Sequence, residues 1–177
     1  GKWTTGRVIY RASSRDKAST LRRLYYKKAK RGTLDRNLFI GNAVTSGKNG
    51  VWTLLDQGLV LATPASGGTN VWMPSDRANS IDDGVLTARV KIGRRPDFTL
   101  MGRAWLTGRR LSGYGLSLEQ NKVVMYRWDN GKARPISRSL TLIDMPGSLI
   151  LEMIFNADQL IGIVRDGDTH QPLATLG

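Results

Sequence analysis

Apolar and polar positions change rhythm once along this chain. Within residues 13–31, Ala18, Leu21, Leu24, Tyr25 and Ala29 recur at spacings of three and four, which predicts an amphipathic helix with one narrow apolar stripe. Ser13 or Ser14 is placed to cap it, and Asp16 suits the positive end of the helix dipole. Lys27, Lys28, Lys30 and Arg31 suit the negative end, and Gly32 is a stop signal.

From about residue 34 the period shortens to two. Strands are predicted near 37–44, 50–55, 59–63, 69–73, 85–92, 98–106, 113–119, 122–128, 132–136, 138–143, 148–155, 159–165 and 171–176, at the spacing of an all-β sandwich or barrel. Phe98, Leu100, Gly102, Ala104 and Leu106 fall on one face of their strand; Thr99, Met101, Arg103 and Trp105 fall on the other. Leu149, Leu151, Met153 and Phe155 likewise oppose Glu152, the signature of a sheet with one face in a core. Asp56-Gln57-Gly58 and Asp129-Asn130-Gly131 place glycine where a tight hairpin needs positive φ.

Composition narrows the function classes. The 177 residues suffice for a core without staples. There is no cysteine, which excludes disulfides, a thiol nucleophile and zinc–thiolate sites. The single histidine excludes a multi-histidine metal site, and no apolar run approaches the roughly 20 residues that span a bilayer.

Charge adds an asymmetry. The formal net charge is +13, of which +10 falls in residues 1–33, where eleven basic residues accompany one acid, Asp16. Residues 1–33 therefore read as a cationic arm, with Arg22, Arg23, Lys27, Lys28, Lys30 and Arg31 as its polyanion-binding candidates. Nucleic acid, acidic glycans and anionic lipid all suit it, as does a solvated face with no partner.

Several runs look familiar. They are 83–91 (Asp-Gly-Val-Leu-Thr-Ala-Arg-Val-Lys), 112–119 (Ser-Gly-Tyr-Gly-Leu-Ser-Leu-Glu), 122–128, 148–152, and the hairpin 159–167 ending in Asp166-Gly167. In this order they resemble the concanavalin A-like lectin/glucanase superfamily, in its laminin-G and bacterial jelly-roll branches, over about residues 38–176. The resemblance implies an all-β, two-sheet antiparallel jelly-roll sandwich over 34–177, preceded by the basic N-terminal helix of 1–33. It also implies that sugars or protein partners meet a sheet face or its rim loops.

Two departures stand out. The Glu-x-Asp-x-x-Glu strand that serves retaining glucanases of the superfamily is missing, since Glu119 and Glu152 each lack the second carboxylate at that spacing. The return strand expected after 159–176 is missing too. Truncation, the N-terminal region or another chain could each account for it.

The candidate ligand-binding residues are Trp72, Arg103, Trp105, Tyr126 and Trp128, set in predicted strands where aromatic faces can stack on sugar rings. The competing account is that such rings fill the core. Asp166-Gly167-Asp168-Thr169-His170 offers oxygens to a divalent cation but reads more simply as a turn. No cofactor is implied, and no catalytic residue is assigned.

The leading expectation is a non-catalytic module binding carbohydrate or a protein surface, extracellular or in the periplasm or cell envelope. Its cationic arm would contact an anionic surface. The first alternative is a coat-like assembly subunit whose arm binds nucleic acid, consistent with a homo-oligomer. The second is a carbohydrate hydrolase with Glu119, Glu152 or Asp144 as acids.

Overall fold

The computed structural model describes residues 3–16, 18–29, 36–38, 43–44, 50–64, 69–74, 80–108 and 110–177. Among them there is no helix, and so none long and apolar enough to cross a membrane. The described residues form sixteen strands in two antiparallel sheets.

The N-terminal strands are β1 (Arg7–Ser13), β2 (Thr20–Lys28), β3 (Arg36–Asn37), β4 (Ala43–Val44), β5 (Val51–Leu55), β6 (Gly58–Thr63), β7 (Thr69–Pro74) and β8 (Gly84–Lys91). They are followed by β9 (Asp97–Thr107), β10 (Arg110–Glu119), β11 (Lys122–Asp129), β12 (Lys132–Pro135), β13 (Leu140–Thr141), β14 (Ser148–Asn156), β15 (Gln159–Asp166) and β16 (Pro172–Leu176). The first sheet runs β12-β11-β10-β9-β1-β7-β4, with β13 beside β11. The second runs β16-β15-β14-β8-β2-β6-β5, with β3 beside β2.

The core lies between the sheets. Val8, Tyr10, Phe98, Leu100, Leu116 and Leu118 of the first sheet share one buried cluster with Leu24, Tyr26, Leu86, Ala88, Leu151 and Met153 of the second. Each valine, leucine, methionine or phenylalanine among them contributes about 1.5–3 kcal/mol by leaving water. Tyr10 meets Trp52 edge-on at 5.7 Å, tying β1 to β5. Two buried polar side chains are matched: Asn70 Nδ2 donates to Ala12 O at 3.0 Å, and Trp52 Nε1 donates to Val71 O at 3.0 Å.

Among the described residues of 13–31 the predicted N-terminal helix is absent. Residues 7–13 and 20–28 are strands at interior positions, β1 between β9 and β7, and β2 between β8 and β6. A bulge explains the misleading period. Leu21 pairs with Val90 and Arg23 with Arg89, so Arg22 is an extra residue in β2. Leu21 and Leu24, three apart, therefore both face the core and are fully buried, a spacing that imitates a helix. The supposed helix cap is a turn: Asp16 N–H donates to Ser13 O at 3.1 Å, and Arg15 N–H to Ser13 Oγ at 3.2 Å. The described strands within residues 1–33 accordingly belong to the sandwich and not to a separate arm. They lie in both sheets, and the N-terminal region supplies interior strands to the sandwich.

Candidate functional site

Inward burial of alternate residues forces the remainder of each strand outward. On the first sheet this outer face carries a second apolar cluster of Ile9, Val71, Met101, Ala104, Leu111 and Trp128, flanked by Met73, Leu106 and Tyr126. It is a second buried apolar layer, on the face of the sheet away from the inter-sheet core.

A β-bulge sets its composition. Arg7 pairs with Ala104 and Ile9 with Met101, so one residue, Val8, stands against two, Gly102 and Arg103. Ser112 pairs with Trp105 and Tyr114 with Gly102, with the same mismatch. The extra residue is Arg103, at φ 48°. The inversion sends Ala104 and Leu106 to the outer face and turns Trp105 away from it.

Tyr126 and Trp128 meet edge to face, 5.2 Å between ring centres. Trp128 lies over Gly115, where a β-carbon would stand 2.7 Å from its ring. At 6% exposure it is the floor of the site, while half-buried Tyr126 presents the more accessible ring. With Arg11, Glu119, Leu111 and Ala133 they line a groove of about 290 Å³.

One end of the groove is polar. Glu119 sits directly opposite Asp97 across β10 and β9, and Arg11 opposite Thr99 on the neighbouring strand. Burial, reinforced by a hydrogen bond to Glu119, pushes the Tyr126 hydroxyl up to about 12. Burial also raises the Asp97 carboxyl, helped by the negative charges of Glu119 and Asp16 and opposed by Arg11 and a Ser13 hydrogen bond. Asp16 is raised by burial although its oxygens accept the N–H groups of Ser19 at 3.2 Å and Asp97 at 3.0 Å. An aromatic floor ending in an arginine and two carboxylates can hold a ring with an apolar face and hydroxyl edges.

The structure separates the five sequence-predicted ligand residues. Tyr126 and Trp128 come together in the groove. Trp72 points into the inter-sheet core and is 3% exposed. Arg103 is 2% exposed and faces inward, because its bulge reverses the alternation. Its guanidinium donates to Asp83 Oδ1 at 2.8 Å and Ala157 O at 2.6 Å, 4.9 Å from the Phe155 ring centre. It thus ties together three segments at one end of the sandwich. Trp105 packs edge-on against Trp3 at 5.5 Å, away from the groove. Neither Trp72, Arg103 nor Trp105 lines the groove.

The polyanion candidates are also divided. Arg22, Arg23 and Lys27 are exposed on β2 in the second sheet, where Arg22 and Arg23 adjoin Arg89, Asp56 and Gln57 in a shallow depression. Lys28 pairs with Asp82 at 3.7 Å. Lys30 and Arg31 lie outside the described residues. Arg7 and Arg11 face out from the first sheet, so the cationic N-terminal segment is spread over both sheets.

Of the carboxylates weighed as acids, Glu152 pairs with Arg165 at 2.7 Å on the second sheet and Asp144 is exposed in a loop; the fold does not bring them to Glu119. Asp166 Oδ1 accepts the N–H groups of Asp168 at 2.8 Å and Thr169 at 3.1 Å, which lowers its carboxyl and makes the segment a turn. Among the described residues no three His, Asp or Glu side chains are grouped to hold a metal ion.

Arg11, Asp97 and Leu111 were not singled out by sequence. Arg11 lay in the segment assigned to an arm, and Asp97 opens its strand one residue before the alternating run. Cross-strand register, which a single sequence does not display, joins them to Glu119. Comparison with family models, with curated protein sequences and with solved structures returned no match.

Proposed function

We propose that this chain is a non-catalytic carbohydrate-binding domain whose ligand lies along the outer face of the first sheet. The observation that carries the reading is the Tyr126–Trp128 pair, with Trp128 seated over Gly115 and with Arg11 and Glu119 at one end of the same groove. A pyranose has an apolar face that suits the tyrosine ring and hydroxyls that suit a carboxylate and a guanidinium. Two antiparallel sheets with one outer face carrying the groove support a concanavalin A-like, jelly-roll assignment and, with it, an extracellular or cell-envelope location.

The test is binding to a panel of polysaccharides by wild type and Tyr126→Ala. Contacts made by stacking and neutral hydrogen bonds persist at about 0.5 M salt, whereas phosphate-backbone contacts weaken steeply. Salt-resistant binding lost in Tyr126→Ala supports the reading, and binding unaffected by that substitution removes it.

A second reading rests on the other sheet. Exposed Arg22 and Arg23 beside Arg89 make a cationic patch that suits a nucleic-acid backbone in an assembly subunit. Arg89 already donates to Gly167 O at 2.7 Å and lies 3.8 Å from Asp168, which reduces the charge this patch offers.

A further inference from the structure

We propose that a pocket between the two sheets, apart from the groove, binds a small monocarboxylate carrying an aromatic or branched apolar group. This site is independent of the sugar reading. The pocket lies where the β11–β12 hairpin faces the β14–β15 turn. Its volume is about 210 Å³, room for roughly ten non-hydrogen atoms at interior packing density.

Strand register builds the first wall. Asn130 and Gly131 take the two positive φ angles, 51° and 88°, of a two-residue hairpin turn, and the register sets Arg127 directly opposite Arg134. Arg127 also pairs with Tyr114, a member of the inter-sheet core. Both guanidiniums therefore stand on the inward face of the sheet, away from Tyr126 and Trp128. Like charges placed directly opposite repel. Arg127 is answered by Asp129 at 3.2 Å and lies over the Trp3 ring at 4.9 Å. Arg134 is exposed and, among the described residues, has no ion-pair partner.

The second sheet supplies the apolar wall. Phe155 and Leu160 stand opposite each other on β14 and β15, and the exposed Ile136 completes the lining. Arg103 closes the buried side, held by Asp83, Ala157 O and the Phe155 ring. Ala157 N–H donates to the same Asp83 Oδ1 at 2.8 Å, which pins the β14–β15 turn. Ile136 N–H donates to Met125 O at 2.8 Å, and Ser137 Oγ accepts the Met125 N–H at 2.9 Å. Both walls are thus set before a ligand arrives, which limits the ordering cost of binding.

The charges select the ligand. Arg103 is matched by Asp83 and Arg127 by Asp129, which leaves the Arg134 guanidinium to be met. One carboxylate meets it with two parallel hydrogen bonds and offsets its repulsion with Arg127. The buried Nε–H groups of Arg103 and Arg127 have no acceptor, so the lining is rich in donors. Asp158 is the one acid among the lining residues, and it disfavours a dianion such as a phosphate monoester. The apolar group of the ligand takes the place of water against Phe155, Leu160 and Ile136.

The experiment is an amide NMR titration of the full chain with phenylacetate, cyclohexanecarboxylate and isovalerate. Acetate, phenylethanol and phenyl phosphate are the controls. At least one apolar acid is expected to bind with Kd below about 10 mM, shifting the amides of Ile136, Asp158 and Gln159. Its affinity should exceed that of every control. Arg134→Ala should weaken it about tenfold, the scale of one charge-assisted hydrogen bond. Ile136→Glu, which sets a carboxylate at an exposed position of the lining, should abolish it. Lys132→Ala, outside the pocket on the same strand, and Tyr126→Ala should bind as wild type does. Failure of all three acids to bind overturns the proposal. So does equal binding of phenylethanol or phenyl phosphate, or binding unchanged in Arg134→Ala and Ile136→Glu. Polysaccharide binding is measured separately, so any of these failures leaves the groove reading standing.

Discussion

Gly115 is the seat of Trp128. A β-carbon at position 115 would stand 2.5 Å from Thr99 Cγ2 and 2.7 Å from the Trp128 ring, so the indole lies flat against the sheet only because that side chain is missing. Gly115→Ala is expected to lift the indole, cost about 1–3 kcal/mol of stability by overpacking, and weaken polysaccharide binding. Titration of the variant at a temperature where circular dichroism shows it folded separates the two effects. Undiminished affinity would show that the position of Trp128 does not matter to the ligand.

Arg103 belongs to the framework rather than to the binding surface. Its bonds to Asp83 and Ala157 hold the β8 and β14–β15 ends against the β9 bulge. Arg103→Met should lower the unfolding free energy by about 2–3 kcal/mol, below the range for a fully buried pair because Asp83 keeps solvent contact. Ligand affinity of the folded variant should be unchanged. Urea denaturation and a binding titration on the same preparation check both statements.

Trp72 makes the complementary case. It fills the inter-sheet core, so Trp72→Ala is expected to cost about 3–5 kcal/mol through the cavity it leaves. Trp72→Phe should retain full affinity once folded, in contrast to Tyr126→Ala. A specific loss of binding in Trp72→Phe at unchanged stability would contradict the placement of this ring.

The carboxyl cluster predicts an unusual pH response. Asp97 and Asp16 have folded-state pKa values raised by burial, while in the unfolded chain they titrate near about 4. Between those values the folded state holds protons that the unfolded state has released. These groups therefore reduce stability as pH rises through the window and restore it as pH falls. Asp166, held low by backbone N–H bonds, acts oppositely: its contribution is present above about pH 4 and lost as pH falls through its folded value. Urea midpoints of wild type and Asp97→Asn should diverge in the variant's favour as pH rises from about 4 toward 7. A difference independent of pH would refute the assignment.

The second sheet supplies a control. Arg22→Ala/Arg23→Ala should reduce retention on a phosphocellulose column and leave polysaccharide affinity within error. Loss of polysaccharide binding in this variant would place the ligand on the wrong sheet.

Much of the fold was legible because alternation and turn chemistry act locally. The strands from β5 onward follow the apolar pattern closely, and Asn130-Gly131 adopts the positive φ angles its composition calls for. Trp72 was misplaced on a strand without a bulge, because a core ring and a stacking ring look alike in sequence; the other failures share one cause. Single-residue bulges at Arg22 and Arg103 break the period of two, and each reverses which side chains face inward. The first made β2 look helical and turned two interior strands into an arm; the second put Arg103 and Trp105 on a face they do not occupy. Tyr126 and Trp128 were placed together correctly because β11 has no bulge. Arg11, Asp97 and Glu119 join them only through pairing between strands far apart in sequence.

The central claim is that a sugar ring lies against Tyr126 on the outer face of the first sheet. Its most direct test is polysaccharide binding by wild type, Tyr126→Ala and Trp72→Phe in parallel at about 0.5 M salt. The account predicts binding by wild type and Trp72→Phe, and its loss in Tyr126→Ala. Equal binding by all three, or no polysaccharide bound by any, would contradict it.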